Sequence, residues 1–287
     1  MRRFQQRNPI AVSVFFLAAA GVAMFTMEPV LLLLSLAGAV GLLWLLGGLR
    51  PLSAHLWMLG LFLVSAVINP LTYHNGQTVL LVISHNPITL EACLYGIAAA
   101  GMIVSVMYWF RCFSRIMTGD RLLYVLGRLS PGLSLVISMS LRYVPLFGRQ
   151  WRRVQETQRT LGLYREENMV DALRGRLRVF SVMTTWALEN GVITADSMAA
   201  RGYGLRRRTH FSIFRFTAGD ALLLLLSLVL AGVTLWGMAG GGVQYYPLFR
   251  LPPLTGRVLA GYLAYGTLVL LPFLIDAKEA FLWHFWN

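Results

Sequence analysis

The 287-residue chain is 57% hydrophobic, only 13% charged, and carries a formal net charge of +13. A soluble domain has about 25% charged residues, so this composition excludes an ordinary water-soluble fold. Several apolar runs approach the ~20 residues that a helix needs to cross a bilayer, which points to a multi-span helical membrane protein.

Arg2, Arg3 and Arg7 precede the first apolar run, Ile10 to Thr26, which Glu28 and Pro29 break. No small-residue cleavage site stands out, so this run reads as a first membrane helix. A second run, Val30 to Leu46, ends at Gly47, Gly48, Arg50 and Pro51, and a third, Leu52 to Ile68, stops at Asn69-Pro70. The connection from Leu71 to Pro87 has no Lys or Arg; it holds a turn signal at His74, Asn75 and Gly76 and a short β-branched run around Val79 to Ile83. Thr89 suits an N-cap, with Glu91 in the first turn where its charge favours the helix dipole. The fourth run continues to Phe110, and two more spans are predicted over Thr217 to Met238 and Gly256 to Ile275, joined by a loop rich in Gly and Pro. Small residues such as Gly96 and Ala100 read as close helix packing. Cys93 and Cys112, at opposite ends of one segment, are too far apart along a helix to form a disulfide.

Charge placement sets an expected topology. Of the 25 Lys and Arg residues, 18 lie between Arg111 and Arg215; the seven acidic residues there leave +11 of the +13. Basic segments beside spans mark the cytoplasmic side. Both termini and the 111–215 block are therefore expected inside, with the Glu28 turn and the 69–88 and 239–255 loops outside; Arg250 and Arg257 run against the rule. Leu133 to Phe147 is apolar but contains Arg142 and Pro145. A charge in mid-bilayer costs roughly 3 kcal/mol, so this segment is expected at the interface or under the spans, not across them. Nucleic-acid binding, the other reading of a basic patch, is discounted because the basic residues alternate with apolar helical positions and no stacking platform is evident.

Catalytic motifs are missing. Lys278 is the only lysine and lies in the stretch Asp276, Ala277, Lys278, Glu279, so there is no Walker A motif. There is no paired-histidine zinc motif, and His74 and His85, which share a loop, read as polar loop residues rather than a metal site. Glu91 and Asp220 lie near span ends and give a proton relay little support. The sequence calls for no cofactor and no metal, and the chain is expected not to be an enzyme.

Two helical patterns fill the basic middle. The first, Leu141 to Leu161, carries Arg142, Arg149, Arg152, Arg153 and Arg159, with Pro145 near its start and Gly162 as its stop. The second, Leu177 to Arg201, places Val179, Val182, Met183, Trp186 and Ile193 near one stripe and Glu189 and Asp196 on another face. Gly202 suits the left-handed turn that ends a helix, and Arg201 suits the dipole of the last turn. By spacing alone two readings stand: a basic amphipathic helix lying on anionic lipid, or an arginine projecting from a rigid helix end into an acidic groove of a soluble partner.

The stretch ADSMAARGYG, followed by Arg206, Arg207 and Arg208, resembles the second Ala-Arg-Gly coupling motif of the transmembrane T component of energy-coupling factor (ECF) transporters, a branch of ABC importers. INPLTYHNGQTVL followed by ITLEACLYG is similar to that family's outside loop and next helix, and SLRYVPLFGRQWRRVQETQRTLG to its first coupling helix. The resemblance implies that two cytosolic ATPase subunits bind the two coupling helices, and that their closure on ATP is passed to a membrane S component that binds a vitamin or metal ion. Carried onto this chain, the second motif is Ala195, Met198, Ala200, Arg201 and Gly202. The first departs from the pattern Ala-Gln-x-Ala-Arg-Gly: it reads Thr157, Gln158, Arg159, Thr160, Leu161, Gly162, with leucine where arginine is expected. Arg159 is no substitute, since two residues along a helix turn it by about 200°. Arg174-Gly175 reads as a loop. The unequal motifs imply non-identical ATPases.

The expected fold is all-α: a polytopic membrane protein with about six spans, organised as N-terminal spans 1–112, a cytoplasmic or interfacial helical coupling region 113–215 and C-terminal spans 216–287. The alternative, a stand-alone secondary carrier or channel, calls for ionisable or broken-helix sites near mid-membrane, and none is convincing here. The expected location is a prokaryotic plasma membrane, with lipid, the S component and the ATPases as partners and no nucleic acid.

Overall fold

A computed structural model describes residues 4–47, 52–73, 76–83, 86–163, 169–205, 214–240 and 242–286. Arg50, the turn residues His74 and Asn75, the loop histidine His85, and the basic run Arg206 to Arg208 lie outside them. The described helices are α1 (Pro9–Phe25), α2 (Pro29–Leu45), α3 (Leu52–Thr72), α4 (Leu90–Ile116), α5 (Gly119–Leu129), α6 (Pro131–Thr160), α7 (Met169–Ala200), α8 (Ala218–Met238) and α9 (Gly256–Trp286). Among the described residues the strands are an antiparallel pair, β1 (Val79–Ile83) with β2 (Asn86–Thr89), beside an isolated bridge between Gln244 and Arg250. Its first strand is the β-branched run of the 71–87 connection.

Among the described residues four helices are long and apolar enough to cross a membrane: α3, α4, α8 and the Gly256–Lys278 part of α9. Helices α1 and α2 are equally apolar but have 17 residues each. At 1.5 Å per residue such a helix measures about 26 Å, slightly less than the ~30 Å hydrocarbon layer.

The chain divides into two compact units: Met1–Leu122 with Phe214–Asn287, and Leu123–Ile213. In the first unit the helix ends sort into two sets. At one end the Phe4 amide donates to Asp276 Oδ1 (2.9 Å), the Asn8 amide to Asp220 Oδ1 (3.3 Å), and Arg115 Nη1 to the Leu46 carbonyl (2.9 Å). Asp220 also closes a capping box with Thr217 and lies 3.8 Å from Arg7. It is fully buried, and the sequence reading gave it no partner; Arg7, Asn8 and Thr217 supply them. At the opposite end Glu28 binds the 239–255 loop, Tyr245 donates to the Met27 carbonyl (2.6 Å), and Thr78 Oγ1 donates to the Glu91 carboxylate. Thr89 caps α4 through the Ala92 amide, as its sequence position predicts. The start of α1 and the far part of α9 thus share an end, and α1, α2, α3, α4, α8 and α9 alternate in direction.

Between the ends, buried polar groups pair across helices. Ser35 and Ser105 hydroxyls lie 2.6 Å apart, Trp109 Nε1 donates to Ser35 Oγ (2.8 Å), and Tyr265 donates to the Ala19 carbonyl (3.1 Å). Small residues let backbones meet: a methyl added at Gly96 would stand 2.6 Å from the Ala66 carbonyl oxygen, and one at Gly237 would stand 2.9 Å from Gly261 Cα. This is the close packing that membrane helices use where hydrophobic drive is absent. Arg257, one exception to the charge rule, lies 4.3 Å over the Trp236 ring and donates to the Trp236 carbonyl. Cys93 and Cys112 are unpaired, as expected.

In the second unit α6 is capped by Ser130, begins with Pro131 and runs ten residues earlier than the Leu141 start read from sequence. Pro145 lies inside it without ending it, and α6 is not among the four helices that meet the length and hydropathy needed to span. Helix α7 likewise starts at Met169 instead of Leu177. Arg174-Gly175 is therefore helical, not a loop, and Gly175 is buried. Helix α5, over Gly119–Leu129, was not resolved from the sequence pattern.

Candidate coupling surface

Helices α6 and α7 pack antiparallel. The Tyr143 hydroxyl meets Thr194 Oγ1 (2.7 Å), Phe147 meets Trp186 edge-on (5.4 Å between centroids), and Trp151 and Val154 pack on buried Val179 and Met183. On α7 the inward residues are Gly175, Val179, Met183, Trp186, Asn190 and Thr194, at intervals of three and four. Val182 and Ile193, expected in that stripe, are 42% and 58% exposed. Glu189 and Asp196 are both exposed.

The end of α7 is closed by a left-handed glycine. Gly202 has φ +80°; its amide donates to the Ala199 carbonyl (2.9 Å) and the Tyr203 amide to the Met198 carbonyl (2.9 Å). These are the two bonds of a Schellman cap, which satisfies carbonyls that the helix leaves open. The end of α6 repeats it: Gly162 has φ +68°, its amide donates to the Arg159 carbonyl (3.0 Å) and the Leu163 amide to the Gln158 carbonyl (3.0 Å). Leu161 and Arg201 hold the same cap position, 40 residues apart in the chain, and both are exposed.

The two tips lie at opposite ends of the helix pair. Arg178 Nη1 donates to the Leu163 carbonyl (3.3 Å), which fixes the α6 tip beside the first third of α7. Arg201 lies 23 residues beyond Arg178, about 35 Å along the helix at 1.5 Å per residue.

Of the residues predicted for the second motif, Ala195, Ala200 and Arg201 are exposed and Met198 and Gly202 half-buried. No ion pair or hydrogen bond among the described residues engages the Arg201 guanidinium. In the first motif Thr157, Arg159 and Gly162 are exposed and Gln158 is half-buried, its Oε1 enclosed without a hydrogen-bond partner. Arg159 stands in the last turn of α6, where a cation offsets the dipole that Leu161 leaves uncompensated. The structure thus brings each motif together on its own helix end and keeps the two apart. Sequence reasoning missed Leu163 and Tyr203, whose amides complete the caps; a residue that follows a helix-ending glycine carries that signal. No three His, Cys, Asp or Glu side chains among the described residues are placed to hold a metal.

No protein-family model matches the chain. Over 106 residues it is 27% identical to the energy-coupling factor transporter transmembrane protein EcfT of Listeria innocua. The match takes in 36% of this chain and 40% of that protein, so the chain spans less than half the length of the relative it matches. The similarity is distant and partial, and it is to a membrane transporter component rather than to an enzyme.

Proposed function

We propose that this chain is the membrane-embedded coupling component of an ECF-type ABC importer in a prokaryotic plasma membrane. Helices α1 to α4, α8 and α9 form six spans, the end that holds Arg7, Arg115 and Asp220 faces the cytoplasm with both termini, and α6 and α7 form the coupling region. Two non-identical cytosolic ATPase subunits dock on the tips of α6 and α7 and hydrolyse ATP. The chain passes their closure to an S component that binds a vitamin or metal ion; the chain itself holds no cofactor, metal or nucleic acid.

One observation carries the reading: two helix tips with the same cap, at opposite ends of one antiparallel pair, of which one presents an exposed arginine with no described partner. A two-headed rigid rod of this kind suits a pair of motors that move relative to one another. The similarity to EcfT supports the reading from a separate direction. Purification of the tagged chain from its native membrane tests it. Two different ATPase polypeptides are expected in the complex; recovery of none would contradict the proposal, and recovery of one homodimer with full activity would contradict the inequality of the two ends.

A further inference from the structure

The matching caps allow α6 and α7 to be aligned residue by residue at a constant offset of 40 positions. Counting back from the tips, Gln150 matches Asn190, Val154 matches Thr194 and Thr157 matches Ser197, all pairs of similar polarity or size. The arginines do not follow this match: Arg149, Arg152, Arg153 and Arg159 stand opposite Glu189, Val192, Ile193 and Ala199, and of these four Arg153 borders a groove. Leu161 stands where α7 has Arg201, and Arg153 stands where α7 has Ile193. All four side chains are exposed, Leu161 at 65% and Ile193 at 58%. Eight residues advance a helix by about 12 Å and return the side chain to within about 80° of its starting direction. The pair Arg153 and Leu161 on α6 and the pair Ile193 and Arg201 on α7 thus place an arginine and an aliphatic side chain at the same spacing, in opposite order.

The surroundings of Arg153 fit a docking role. With Gln150, Val154, Thr157, Gln158 and Val182 it borders an open groove of about 210 Å³ next to the α6 tip. Gln158, which lines the groove, has its Oε1 enclosed with no hydrogen-bond partner among the described residues. No carboxylate among the described residues pairs with Arg153. A planar guanidinium left free beside an open groove is suited to a carboxylate from outside the chain.

We propose that the α6 end makes its charged docking contact through Arg153, eight residues before its cap residue. The cytosolic partner on α6 bears its carboxylate about 12 Å further from the helix tip than the partner that receives Arg201, and it takes Leu161 in an apolar pocket. This rests on the reading of the chain as an ATPase-coupling subunit and names the recognition chemistry of its less obvious end.

The test places a photo-crosslinking amino acid at Thr157 or at Ser197 in the full-length chain, within the complex purified with its ATPases. Arg153→Glu is expected to lower ATPase crosslinking from position 157 about tenfold, as loss of a docked charge pair does, with crosslinking from 197 unchanged. Arg201→Glu is expected to do the reverse, and Arg153→Lys to retain part of the signal at 157. The untouched end serves as the folding control for each variant. Unchanged crosslinking from 157 in Arg153→Glu, with loss in Leu161→Glu, would overturn the inference and leave the coupling role standing. Loss of binding to anionic-lipid vesicles with ATPase crosslinks intact would overturn it in favour of a lipid contact. Absence of any ATPase crosslink from either position in the otherwise wild-type chain would overturn the coupling role itself, and this inference with it.

Discussion

The Glu28 carboxylate accepts the Val243 amide at 2.7 Å, joining the connection between α1 and α2 to a loop 215 residues later. Its second oxygen accepts the Tyr262 hydroxyl at 3.1 Å, and the side chain is only 3% exposed. Glu28→Ala leaves two donors in a covered site, so a loss of about 2–3 kcal/mol is expected. Tyr262→Phe removes one of the two bonds and should cost about 1 kcal/mol. Unfolding of the detergent-solubilised protein followed by denaturant titration checks this; equal losses for the two variants would reject Glu28 as the shared acceptor.

Gly96 and Gly101 lie on the same helix in different surroundings. A methyl at Gly96 meets the Ala66 backbone oxygen, which no rotamer change can move, whereas nothing lies within 4 Å of one at Gly101. Gly96→Ala is expected to destabilise the α3–α4 contact by about 1–3 kcal/mol, and Gly101→Ala to change stability by no more than about 0.5 kcal/mol. Thermal melting of both variants in the same detergent separates them.

The two cap glycines should differ in the same way. Each sits at positive φ, where an alanine costs about 1–2 kcal/mol. At Gly202 the added methyl would also lie 2.9 Å from Leu205 Cδ1, while at Gly162 nothing stands within 4 Å. Hydrogen exchange at the capped amides reads this locally: Tyr203 should lose more protection in Gly202→Ala than Leu163 loses in Gly162→Ala.

Burial, aided by the Glu28 and Tyr95 charges, pushes the Tyr245 hydroxyl up to about 12. An unfolded tyrosine ionises near pH ~10. Below that pH the group is neutral in both states and its stabilising contribution is fully present. As pH rises from about 10 toward 12 the unfolded chain ionises first, so the contribution is lost over that window. Tyr245→Phe removes the bond to Met27 and this part of the pH dependence. The melting temperature of the wild-type chain should therefore fall more steeply between pH 9 and about pH 11 than that of the variant.

Local signals were legible in the sequence and distant partners were not. Thr89 and Gly202 act within one helical turn, and both do what their positions predict. Glu28 and Asp220 read as residues near span ends because their partners, Val243, Tyr262, Arg7 and Asn8, come from segments more than 200 residues away in the chain. Arg174-Gly175 read as a loop because glycine is a weak helix former; here Gly175 continues the inward stripe with Val179 and Met183, and its burial outweighs that weak propensity. The first coupling motif looked merely eroded at Leu161. Only the shared cap geometry shows that Leu161 and Arg201 are equivalent, and hence that Arg153 and Ile193 are too.

The most direct measurement is ATP-driven uptake by the reconstituted complex carrying Arg201→Glu, with hydrolysis recorded in parallel. The expected result is loss of uptake, either because the ATPases dissociate or because hydrolysis continues without transport, in a chain that inserts and melts as the wild type does. Uptake and coupled hydrolysis at wild-type rates in that variant would contradict the role assigned to the α7 tip.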